Sequence, residues 1–107
     1  MLDFSRSAET QPLLIVDDDE PFRNRLARAM EKRGFVVTTA ASVSEGCDVA
    51  RRDKPTYAVL DLRLEDGSGL EIVKVLQGSQ PEAKVLYRSL GGDFAGEEGV
   101  HHVSLGG

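Results

Sequence analysis

Two groups of acidic residues stand directly after apolar runs, and carboxylates so placed can hold a hard cation or attack phosphorus. Asp17, Asp18 and Asp19 follow Leu13-Leu14-Ile15-Val16, and Asp61 follows Tyr57-Ala58-Val59-Leu60. Carboxylate oxygens suit Mg2+, and several packed together repel one another unless such a cation is present. One member of the set can then serve as a nucleophile, with the metal offsetting the charge of an incoming phosphoryl group. Acids after strands also act as turn formers and helix caps. Asp19 or Glu20 would favour the start of a helix on that ground alone.

The elements that must position these acids are legible in the hydrophobic pattern. Leu13–Val16 is too short for a helix and suits a strand buried on both faces. Pro21 sits where a helix can start, and Phe22, Leu26, Ala29 and Met30 share one helical face. Gly34 is placed as that helix's stop, and Phe35–Thr39 reads as a second strand. Ser42 with Glu45 forms a capping-box pattern ahead of a helix whose stripe is Val43, Cys47 and Ala50. Tyr57–Leu60 is a third strand ending at Asp61, Leu70–Leu76 a third helix, and Lys84–Tyr87 the start of a fourth strand. Alternating β and α elements with short links imply a parallel sheet covered by helices, with ligands at the carboxyl ends of the strands. Neighbouring first and third strands would bring Asp17, Asp18 and Asp61 into one pocket.

Composition bounds the rest. The chain has 107 residues, 40% of them hydrophobic, which fits one small domain. A net charge of −5 argues against a direct nucleic-acid-binding face. The single cysteine, Cys47, excludes an internal disulfide framework, suits a reducing cytoplasm, and on its apolar stripe reads as a small core residue. No apolar run approaches the ~18 residues of a membrane span, so a cytoplasmic protein without a membrane partner is expected. Residues 1–12 read as a flexible leader, 13–88 as the folded core, and 89–107 as an atypical Gly-rich segment.

The run Leu13-Leu14-Ile15-Val16-Asp17-Asp18-Asp19-Glu20-Pro21 resembles the opening of the receiver domains of bacterial two-component response regulators. Asp61-Leu62-Arg63-Leu64, followed by Asp66-Gly67-Ser68-Gly69-Leu70-Glu71, is similar to the family segment around the phosphoacceptor, and the finer likeness is to the redox-responsive RegA/PrrA/ActR group. This resemblance implies a flavodoxin-like (CheY-like) doubly wound α/β sheet of order 2-1-3-4-5. By the same resemblance Asp61 is the phosphoacceptor, Mg2+ the cofactor, and Asp17, Asp18, Asp61 and the backbone carbonyl of Arg63 the metal ligands. Asp18 is implied to bind directly and Asp17 partly through water. A sensor histidine kinase is the implied phosphoryl donor. DNA is implied only through an output domain absent from this chain, and the chain itself is not expected to be an enzyme.

After the fourth strand the likeness decays. Ser89 aligns with the family's hydroxyl position, but no lysine follows Lys84, and six of the eleven glycines lie between Ser89 and Gly107. The sheet is therefore expected to be incomplete or altered beyond this point. An open fourth-strand edge and an uncovered Ile72, Val73 and Leu76 would favour a homodimer or strand-swapped assembly. The competing outcome is that Val100–Leu105 folds back as a makeshift fifth strand, although His101-His102 also reads as part of a loop or tail. Arg23, Arg25, Arg28, Lys32 and Arg33 read as the solvated face of the first helix, with kinase recognition as the functional alternative. Two rival classes stay open: a phosphate-independent pseudo-receiver acting as an interaction or dimerisation module, and a phosphatase fragment of haloacid-dehalogenase type.

Overall fold

The computed structural model describes residues 11–88 and 100–104. Strands β1 (Gln11–Val16), β2 (Phe35–Ala40), β3 (Tyr57–Asp61) and β6 (Lys84–Arg88) form the parallel part of one sheet, in spatial order β2-β1-β3-β6. Helices α1 (Glu20–Lys32), α2 (Val43–Asp53) and α3 (Leu70–Ser79) connect and cover them. The two-residue strands β4 (Arg63–Leu64) and β5 (Gly67–Ser68) make a small hairpin just past β3. β1 starts at Gln11, two residues ahead of the apolar run, because pairing with β2 begins at Gln11↔Phe35.

Local chemistry explains each boundary. Asp19 caps α1, its Oδ1 accepting from the Phe22 amide at 3.1 Å, and Pro21 occupies the first turn. Gly34 ends that helix with φ 100°, a conformation that costs little without a Cβ. Ser42 caps α2 by accepting from Glu45 N–H at 3.2 Å, while Glu45 reaches back to Ala41 N–H at 3.0 Å. The reciprocal bond therefore lands one residue before the cap. α3 runs three residues beyond the expected Leu76, through Gln77 and Gly78 to Ser79.

One core lies between the sheet and the α2/α3 pair. Leu14, Val16, Ala58, Leu60 and Val85 of the strands pack with Val49 and Ala50 of α2 and Ile72 and Leu76 of α3. Burying each larger side chain contributes about 1.5–3 kcal/mol. Ile72 and Leu76 are fully buried, which corrects the expectation that they lie uncovered. Gly46 is the reason: a Cβ there would stand 2.6 Å from Ile72 Cδ1, so its absence lets α2 and α3 close over these residues. Cys47 packs half-buried against the same core, and burial pushes its thiol pKa up, as suits a packing residue. On the opposite face, Leu13 and Ile15 are buried, and Phe35 meets Tyr57 edge-on at 5.3 Å. α1 has no fully buried residue, and Ala29, expected on its apolar stripe, is exposed.

Beyond β6 the sheet is altered rather than open. β7 (Val100–Ser104) pairs with β6 antiparallel, from Lys84↔Ser104 to Arg88↔Val100. His101 and His102 thus lie in a strand, not in a loop. The competing outcome named above is therefore the one present at the β6 edge, whose backbone pairs with the chain's own β7. No helix among the described residues is long and apolar enough to cross a membrane.

Candidate functional site

The parallel register places the acids. β1 and β3 are neighbours with Val16 opposite Leu60, so Asp17 and Asp61 emerge side by side at the carboxyl end of the sheet. Ligand oxygens of Asp17, Asp18 and Asp61 all lie within 4.8 Å of one another. Among the described residues, Asp17 and Asp61 are the two buried charged ones, at 2% and 5% exposure, whereas Asp18 is exposed. The pocket therefore has a dry wall and a wet one. An all-oxygen donor set of this span fits a hard divalent cation, which would relieve the mutual repulsion of three carboxylates.

The two buried acids are held by their surroundings. Asp17 Oδ1 accepts from Asp19 N–H at 2.9 Å. The Asp17 main chain donates to Ala40 O at 3.1 Å and accepts from Arg23 Nη1 at 2.8 Å, joining β1 to β2 and to α1. Asp61 Oδ1 accepts from Arg63 N–H at 3.0 Å, which fixes the rotation of that carboxylate. Asp19 turns away as the α1 cap, and Asp17 and Asp61 each accept from the amide two residues on, so the turn-forming and capping roles expected of acids after strands are present beside the clustering. Arg63 opens the β4–β5 hairpin directly beside the cluster. Ser89 lies outside the described residues.

Three positions take contacts that the sequence reading did not foresee. Arg23 was assigned to a solvated face, yet it is half-buried and reaches the Asp17 carbonyl; Arg25, Arg28, Lys32 and Arg33 are exposed as expected. Gly69, ahead of α3, donates to Leu62 O at 3.1 Å, and a Cβ there would overlap the Asp61 carbonyl oxygen. Asp66, at the turn of the hairpin, accepts from Val43 N–H at 2.8 Å and from Ser44 N–H at 3.2 Å. Those two amides hold its carboxyl below the usual carboxylate range. Gly69 had a local signal in its glycine-rich loop; the other two contacts depend on partners distant in sequence or direction.

Comparison with known proteins agrees with this geometry. A family model described as the response regulator receiver domain matches residues 13–98. The photosynthetic apparatus regulatory protein RegA of Cereibacter sphaeroides is 60% identical over 74 residues, covering 69% of this chain and 40% of that protein. The acid tolerance regulatory protein ActR of Rhizobium meliloti is 47% identical over 94 residues, covering 88% of this chain and 47% of its own length. The chain thus spans less than half the length of these relatives. A Burkholderia pseudomallei response regulator, solved with a phosphorylated aspartic acid, calcium ion and citrate, superposes with TM-score 0.70 at 33% identity over 79% of this chain and 50% of that one. A CheY-like receiver domain protein from Methanospirillum hungatei gives TM-score 0.71 at 25% identity, over 79% of this chain and 68% of that one. With its parallel 2-1-3 strand order and its acids at the carboxyl ends of β1 and β3, the chain belongs to the response regulator receiver domain family.

Proposed function

We propose that this chain is the phosphoacceptor module of a two-component response regulator, with Asp61 taking a phosphoryl group from a sensor histidine kinase. The observation that carries the reading is the convergence of Asp17, Asp18 and Asp61 within 4.8 Å, with Asp61 buried and oriented by the Arg63 amide. Asp17, Asp18, Asp61 and the Arg63 carbonyl are the proposed ligands of Mg2+, with Ser89 as the hydroxyl beside the phosphoryl group. The bound cation supplies positive charge against the phosphoryl oxygens. The chain's own residues do the rest. The Arg63 N–H holds one carboxylate oxygen of Asp61, leaving the other to form the O–P bond as the donor's bond to phosphorus breaks. Burial of Asp17 and Asp61 removes competing water from that side of the pocket.

The phosphorylated aspartic acid and calcium ion in the Burkholderia pseudomallei relative support the same chemistry here. Regulation of transcription is proposed to pass through an output domain that these residues do not include, in a cytoplasmic protein. Family membership disposes of the phosphatase alternative. The pseudo-receiver remains a second reading, favoured by one observation: β7 meets β6 antiparallel. Incubation with acetyl phosphate and Mg2+ should add a hydroxylamine-labile phosphoryl group to the parent and none to Asp61→Asn. Label retained in the variant refutes the assignment. A parent that takes neither label nor beryllium fluoride is a pseudo-receiver.

A further inference from the structure

The hairpin that carries Arg63 is anchored at a place remote from Asp61 in sequence. It leaves β3 at Asp61, turns through Glu65-Asp66, and returns to Gly69, whose amide bonds Leu62 O at 3.1 Å. Its turn is pinned by Asp66, whose two carboxylate oxygens take the Val43 and Ser44 amides at 2.8 and 3.2 Å. Those amides belong to the first turn of α2, where unpaired N–H groups and the helix dipole favour an anion. Apolar packing reinforces the tie. Leu64 and Val43 are both buried in the core cluster, and a Cβ on Gly67 would sit 3.5 Å from Val43 Cγ2. Ser42 already caps α2 through Glu45 N–H, so Asp66 adds bonds to amides that Ser42 does not take.

We propose that Asp66 is a positioning residue: by clamping the hairpin turn to α2 it sets where the Arg63 main chain stands at the acidic site, and hence how well that site binds its cation. The inference rests on the proposed metal site, and it adds a residue three positions past Arg63 that touches neither metal nor phosphoryl group. A hairpin tied at one end only would let the Arg63 carbonyl move relative to Asp17 and Asp61. The two carboxylates, held by strands β1 and β3, would keep their places. Metal affinity should therefore fall without loss of the fold.

The test is a Mg2+ titration followed by amide resonances, with exchange of the Val43 and Ser44 amides as a second readout. Asp66→Ala should bind Mg2+ about tenfold more weakly, the low end of what removing an outer partner of a metal site costs. Its Val43 and Ser44 amides should exchange faster than in the parent. Asp66→Asn keeps one acceptor for Val43 N–H, preserves the fold, and should fall between the two. Ser42→Ala removes the other α2 cap without freeing the hairpin, so it should melt earlier yet bind Mg2+ as the parent does. Parental affinity in Asp66→Ala overturns the proposal, as does equal weakening in Ser42→Ala. A parent with no Mg2+ response refutes the metal site itself and this inference with it. A responsive parent with an equally responsive Asp66→Ala refutes the tie alone.

Discussion

Two glycines of this chain, one before α3 and one inside it, should respond to alanine with opposite signs. At Gly69 the backbone has φ −59° and ψ −17°, which any residue adopts, so alanine would meet no dihedral strain. Gly69 is the N-cap of α3, a position that prefers glycine to alanine, so propensity offers no gain there. The added methyl would also overlap the Asp61 carbonyl oxygen and lie 3.2 Å from Asp61 C and 3.4 Å from Leu62 Cα. These are backbone atoms of β3 and its exit, which cannot rotate away as a side-chain tip can. Overpacking of this kind costs about 1–3 kcal/mol, and Gly69→Ala should lose that much. Gly78 lies within α3 with nothing within 4 Å of a built Cβ, so Gly78→Ala should gain about 0.5–1 kcal/mol. Urea unfolding reads both: with a slope of about 1 kcal/mol per molar, the two midpoints should separate by about 2 M or more. Gly69→Ala should also slow phosphorylation, since the displaced backbone is that of Asp61 itself. A Gly69→Ala midpoint equal to or above the parent's would refute the close-approach argument.

Two further outcomes are expected. Asp18→Ala should weaken Mg2+ binding in an amide-resonance titration by at least the ~10-fold typical of losing an outer partner, and unchanged affinity would place the cation elsewhere. The carboxyl of Asp66 is held low in the folded state, so its contribution to stability is present above its unfolded pKa of ~4 and is lost as pH falls through the folded value. Acid titration of stability should therefore show the parent converging on Asp66→Asn below pH ~4; a gap that widens on acidification would contradict the sign.

The acidic site was legible in the sequence because its determinants are local. Leu13–Val16 of β1 is buried on both faces and β3 is buried on one face and half-buried on the other, so both read as unbroken apolar runs, and an acid at the end of such a run can sit only at the sheet's carboxyl edge. The α1 start was equally open to reading, since Asp19 and Pro21 act within one turn of chain. The burial of Ile72 was not, because it depends on Gly46 allowing two helices to approach, a contact that no hydrophobic period records. Nor was the role of Asp66, whose partners Val43 and Ser44 lie 23 and 22 residues away and are met only once α2 has packed on the sheet. The direction of β7 belongs to the same class. The sequence says that Val100–Leu105 can be a short strand, but which strand it joins, and whether it runs parallel or antiparallel, is decided by the free edge the other elements leave. Sequence determined which acids stand at the carboxyl edge of the sheet, through periods and caps a few residues long. Tertiary structure decided what holds them still, through backbone donors and open edges that exist only after folding.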